Sequence, residues 1–145
     1  MFHKIISTDN TATTIIIRLM VGAVFLSEGI QKFLFADQLG AGRFAKIGFP
    51  NPNFFGPFVA SMEIICGLLI LIGLFTRLGA IVLFIVMIVA ITTTKMQIFM
   101  DKGFWSMLHE SRTDWAMLLG SIFLVINGGG KWSMDKTIWK QSAND

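Results

Sequence analysis

The sequence predicts an all-α integral membrane protein. The expected form is an antiparallel four-helix bundle with a lid-like loop between helices one and two and a short interfacial segment at the C-terminus. Three observations carry this expectation. Of 145 residues, 54% are hydrophobic and 14% charged, with a mean hydropathy of +0.68, whereas soluble domains carry about a quarter charged residues. Three segments have the apolar length, roughly twenty residues, that a bilayer crossing requires. Six of the nine acidic residues fall where antiparallel helices bring their polar ends to one side. There is room for one membrane domain, residues 1–145, and for no soluble catalytic domain.

The first helix is expected over residues 14–35, the second over 54–75 and the third over 78–98. The third is rich in Val and Ile, but its length and lack of alternation decide for a helix over a strand. Only the Thr76–Arg77 turn separates the second from the third, which makes a tight hairpin. The fourth is short: its apolar run from Trp115 to Ile126 covers about 18 Å of a roughly 30 Å core. To cross, it has to begin near Phe104 and run over 104–126, which brings His109, Glu110, Arg112 and Asp114 partly to membrane depth. Such groups are tolerated there only against protein or water. The connection from Gly40 to Pro57 holds all three prolines and several apolar residues, so it should lie on the bundle as a lid. Gly128-Gly129-Gly130 ends the fourth helix, and the segment after it places Trp132 and Trp139 among lysines, an interfacial anchor. The N-terminal MFHKIISTDN lacks the pattern of a cleaved signal peptide and is read as retained.

Lysine and arginine divide evenly between the two sides, and both termini are expected in the cytoplasm. Arg18 and Arg77, near the terminal side, are expected to snorkel to phosphates. No basic stripe suggests nucleic acid. Cys66 alone forms no internal disulfide or Cys-x-x-Cys pair, and the absence of tyrosine excludes a tyrosine acid, base or radical. Gly128 to Lys131 ends a helix and is no phosphate loop. His3 and His109 lie on opposite sides, which disfavours a bis-histidine haem. Met96, Met100, Met107 and His109 have the ligand softness for copper(I), but methionine at helical spacing is more often core filler; no metal site is assigned.

The polar ends form one constellation. Helix one brings Glu28, Gln31 and Lys32; helix two brings Glu63; helix three brings Thr92, Thr93, Thr94, Lys95 and Gln97; helix four brings His109, Glu110, Thr113 and Asp114. Arg43 and Lys46 arrive from the lid. A carboxylate at membrane depth costs roughly 2.5–3.5 kcal/mol on insertion scales, so Glu28 and Glu63 need a partner or a task. Glu28 and Lys32 are spaced i, i+4 with the acid first, the favourable order. Glu63 shares a face with Gly56, Ala60 and Gly67, so it should point into the bundle, with Lys32 or Arg43 as its partner. Glu110 and Asp114 share a face and repel unless a base intervenes; Lys32, Arg43, Arg112 and His109 are the bases at hand.

The stretches RLMVGAVFLSEGIQKF (18–33), GRFAKIGFPNP (42–52), EIICGLLILIGLFTRLGA (63–80) and NGGGKWSMD (127–135) resemble, in order, those of the DoxX family. The resemblance implies a four-helix bundle in a bacterial plasma membrane. It also implies membrane redox chemistry, since the family name comes from a thiosulfate:quinone oxidoreductase subunit. The family usually has an acidic residue entering the fourth helix, a place that Glu110 or Asp114 fills here.

Two readings of the constellation stay open. In one it is a buried pocket for a quinone or similar headgroup, with Glu63 and His109 exchanging protons. Glu28, Lys32, Arg43, Glu110 and Asp114 then line it, and Trp105, Trp115, Phe25 and Phe33 supply walls. Any electron carrier would belong to a soluble redox partner. In the other the charges lock the helices in register. The protein is then a non-catalytic anchor for soluble redox enzymes; a small-molecule carrier is the third possibility. A glycine-lined face is expected to support homo-oligomers in the lipid.

Overall fold

The computed structural model describes residues 8–142, with side chains through residue 138, and is all-α: no strand occurs among the described residues. Helix α1 spans Thr14–Leu34, α2 Ala41–Lys46, α3 Pro52–Ile72 and α4 Thr76–Ala90. A π-helical turn, Ile91–Lys95, carries α4 into α5, Met96–Lys102. Then come α6 (Phe104–Glu110), α7 (Arg112–Asn127) and α8 (Met134–Ser142). Three helices are long and apolar enough to cross a membrane: Thr14–Leu34, Pro52–Ile72 and Thr76–Lys102. His3 and Lys4 lie outside the described residues, as do the side chains of Trp139 and Lys140.

The helix expected over 104–126 is divided. Ser111, fully buried, donates its hydroxyl to the Met107 carbonyl at 2.6 Å and takes a non-helical φ/ψ of −100°/8°. A serine bonded back to the preceding turn competes with the helical ladder, and here it separates α6 from α7. The 16 residues of α7 rise about 24 Å.

The turn between α3 and α4 also differs from expectation, falling at 73–75 and leaving Thr76 and Arg77 inside α4. Gly73, at φ 73°, lets Leu74 N–H reach the Leu69 carbonyl (2.9 Å) and its own N–H reach that of Ile70 (3.1 Å). That double closure is the glycine stop of a helix C-terminus. Phe75, also left-handed at φ 48°, gives α4 no side-chain cap of its own. The cap comes from far along the chain: Asp135 Oδ1 accepts from Phe75 N–H (2.7 Å) and Oδ2 from Thr76 N–H (2.9 Å). Asp135 N–H in turn donates to the Gly73 carbonyl at 2.9 Å.

Arg18 corrects the snorkelling expectation. It is 2% exposed. Its Nε donates to Ile70 O (2.8 Å), Nη2 to Leu71 O (2.5 Å), and Nη1 to Trp132 O (2.6 Å) and Gly129 O (3.2 Å). The last carbonyls of a helix lack intrahelical donors. The end of α3 and the glycine turn after α7 bring such carbonyls together, and a forked guanidinium satisfies several at once. Arg77 Nη1 likewise donates to Val125 O near the end of α7, at 3.0 Å.

Helix α1 packs along α3, α3 against α4, α4 against α7, and α7 against α1. The first contact is the closest. A methyl group on Gly29 would lie 2.7 Å from the Ala60 carbonyl oxygen, and one on Gly67 would lie 2.9 Å from the Leu26 nitrogen. Small residues let the two backbones touch, as the face around Glu63 requires. Val21, Phe25, Ile70, Leu83, Met117 and Leu124 fill the middle.

Asp135→Ala is expected to lower stability by about 2 kcal/mol, since two bonds to a charged acceptor are lost and a helix start is left uncapped. Thermal unfolding in detergent measures it. A melting temperature unchanged from wild type would show that water replaces the cap.

Candidate functional site

At the end of the molecule opposite Arg18 and Asp135, the second half of α1, the first half of α3, the second half of α4 and the start of α7 surround a cavity of about 570 Å³. Each helix contributes polar groups for a local reason. Glu28 and Lys32 stand one turn apart on α1, their charged atoms 3.8 Å apart. Glu63 is carried inward by the small-residue face of α3 and is 4% exposed. Its Oε2 accepts from Lys32 Nζ at 2.6 Å. This largely buried ion pair bridges α1 and α3 across the cavity wall.

The π turn supplies the third wall. The Thr92 hydroxyl donates to Ile88 O (2.8 Å), that of Thr93 to Val89 O (2.7 Å), and that of Thr94 to Ala90 O. Threonine bonded back to the preceding turn bends a helix, and single π turns are frequent at functional sites. Thr93, Thr94 and Lys95 all face the cavity. Lys95 Nζ meets Asp114 Oδ2 at 3.0 Å and also donates to the Glu110 carbonyl at 2.9 Å. The Glu110 carboxylate turns to Lys102, at 3.4 Å.

Helix α2 closes over the site by pressing Ala41 onto Gly56, where an added methyl would lie 2.7 Å from the Ala41 nitrogen. From this segment Arg43, Phe44, Ile47 and Phe49 line the cavity. Phe44 meets Phe49 edge-on at 5.3 Å, and Phe49 meets Phe55 at 5.2 Å, a favoured aromatic geometry. Arg43 is the only cation lining the cavity, among the described residues, whose side chain has no hydrogen bond or ion pair.

Of the site residues expected from the sequence, Glu28, Lys32, Arg43, Glu63, Glu110 and Asp114 line this one cavity. His109, Trp105 and Trp115 do not. His109 lies on α6, beyond the break at Ser111, exposed and with Nε2 3.1 Å from Arg112 Nη1. Trp105 is 78% and Trp115 40% exposed. The aromatic walls come from Phe25, Phe44, Phe49, Phe55 and Phe58, while Phe33 faces outward. Sequence reasoning missed Lys95 as the partner of Asp114. The available signal was its place at the end of the third span, on the same side as Asp114. Among the described residues no three His, Cys, Asp or Glu side chains converge as metal ligands.

The sequence profile of the DoxX family matches residues 13–96. The membrane protein Rv3486 of Mycobacterium tuberculosis is 46% identical over 96% of this chain and 89% of its own length. The chain belongs to the DoxX family. The profile of the TQO small subunit DoxD matches residues 55–145. CatD of Bacillus subtilis, provisionally named an oxidoreductase, is 28% identical over 90% of each chain. No solved structure matches. The DoxX match spans α1 to the π turn and so takes in Glu28, Lys32, Arg43, Glu63 and Lys95. The DoxD match adds Glu110 and Asp114, on the fourth wall of the same cavity.

Proposed function

We propose that this DoxX-family protein is a membrane subunit of a quinone-linked redox system that holds a quinone or similar small molecule in the cavity. In this reading α7, preceded by α6, makes a fourth crossing, so that α1, α3, α4 and α7 form an antiparallel bundle in a bacterial plasma membrane. The observation that carries the proposal is the cavity itself. Its volume of about 570 Å³ falls in the range of roughly 300–1,000 Å³ typical of ligand sites, with apolar walls and few convergent polar groups. The profile match to the small subunit of thiosulfate:quinone oxidoreductase supports the redox class.

The residues fit a flat head bearing carbonyl oxygens. Phe25 and the Phe44–Phe49–Phe55 series provide apolar faces. Lys32 donates from within the buried pair, and Arg43, unpaired on the lid, offers a second donor. A bound quinone supplies two-electron redox chemistry. The chain's own part is to orient the head, exclude water beneath α2, and hold a proton at Glu63 or Lys32. His109, outside the cavity, would act only as a relay toward water. A partner protein would carry the electrons to or from the site.

The lock reading keeps one specific support: apart from Arg43, the cavity's bases are already paired with acids. Organic extraction of detergent-purified protein, followed by mass spectrometry, separates the two. The expected result is a stoichiometric quinone in wild type, reduced about tenfold in Arg43→Gln. An empty wild type whose stability does not respond to added quinone would reject the pocket, and the anchoring role would stand in its place.

A further inference from the structure

Resting on the pocket reading, we infer that the cavity is entered sideways from the bilayer, between α3 and α4, and that its ligand carries a single apolar tail which stays in that opening. At the hairpin end the two helices pack together, and a methyl group added at Gly79 would lie 3.5 Å from the Cys66 carbonyl oxygen and from the Ile70 side chain. Nearer the other end they become the two jambs of the cavity. Phe55, Phe58 and Val59 line it from α3, and Ile85, Val86 and Val89 from α4. Three of these six also face outward: Phe58 is 45%, Ile85 55% and Val89 40% exposed. A side chain that lines the interior and is open to the surroundings marks the place where the two meet. Both helices are long and apolar enough to cross a membrane, so the surroundings at that level are lipid.

The chemistry of the opening differs from that of the rest of the rim. No charged or hydroxyl side chain stands among the six, whereas the aqueous side of the cavity carries Glu28, Arg43 and Glu110. A ligand with an oxygen-bearing head and a hydrocarbon tail therefore has one orientation. The head reaches Lys32 and Glu63, and the tail leaves between Phe58 and Val89. Burying such a tail releases about 0.8 kcal/mol per methylene from water, so it does not cross the charged rim. A cavity of about 570 Å³ encloses a head and the first part of a tail, and the remainder has to leave through this gap.

The test uses full-length protein in lipid nanodiscs and three probes in equilibrium dialysis: a decyl-substituted benzoquinone, the same quinone without the tail, and a single-chain lysophospholipid. Val89→Trp and Ile85→Trp close the opening from lipid-exposed positions, where added bulk leaves the packed interior intact. The expected result is that both substitutions weaken the decyl quinone at least about tenfold more than they weaken the tailless quinone. If the decyl quinone binds wild type and neither substitution changes it, the lateral opening is overturned while the pocket stands. If only the lysophospholipid binds and the tryptophans exclude it, the opening stands and the quinone reading falls. If no probe binds, both fall. A decyl quinone with a photoreactive tail gives an independent reading on wild type. Labelling at Phe58, Ile85 or Val89 supports the opening, and labelling confined to residues 43–49 overturns it.

Discussion

Glu63→Met is expected to destabilise the protein by about 3 kcal/mol, because it leaves the largely buried Lys32 ammonium without its close partner. Breaking a buried ion pair from one side typically costs roughly 3–5 kcal/mol. The lower end applies here, since Glu28 Oε2 remains 3.8 Å from Lys32 Nζ. For a chain of this size the loss corresponds to a fall of about 10 °C in melting temperature. The double replacement Lys32→Met with Glu63→Met should recover most of it, because two well-packed apolar side chains of similar volume replace a pair that was expensive to desolvate. Thermal unfolding of the two variants and wild type in one detergent makes the comparison. A single variant as stable as wild type would mean that water enters the cavity freely enough to solvate Lys32. The double variant also divides function from architecture: it should fold, yet retain no quinone.

Arg18→Lys is expected to cost as much or more. The ammonium reaches at most two of the four carbonyls that the guanidinium now satisfies. Each carbonyl left dry and unpaired costs about 1–3 kcal/mol, so the loss should be about 3 kcal/mol. Because Arg18 donates to the Gly129 and Trp132 carbonyls, the damage should be local as well. Amide hydrogen exchange across residues 128–135 should rise several-fold in the variant, while exchange in the middle of α3 changes little. Equal protection in both proteins would show that the C-terminal segment is held by its other contacts alone.

Hydropathy alone made the three apolar spans legible, because length and composition suffice for that inference. The inward aim of Glu63 was legible from Gly56, Ala60 and Gly67, since helical spacing places small residues and carboxylate on one face. The i, i+4 spacing of Glu28 and Lys32 was equally local. What escaped was set by distant parts of the chain. Arg18 sits where an arginine would reach lipid phosphates, and only the meeting of the α3 end with Gly129 and Trp132 gives it buried carbonyls instead. Lys95 finds Asp114 because a π turn reorients the end of the third span, and a regular periodicity does not foresee that turn. His109 was placed in the site on the assumption of one unbroken helix. The bend at Ser111 carries it outside. Of the expected aromatic walls, Phe25 lines the cavity and Trp105, Trp115 and Phe33 do not, because the connection after α1 folds back and delivers Phe44 and Phe49 instead.

Asp135 has a consequence for biogenesis. The start of α4 is closed by a carboxylate that leaves the ribosome some sixty residues later. Until that residue is synthesised, the hairpin of the second and third spans sits in the bilayer with amide groups at its turn still open. Insertion of the helices and maturation of the fold are thus separate events. A chain truncated before its last helix can enter the membrane but cannot finish the turn that joins its central spans, and a quality-control protease can recognise that difference.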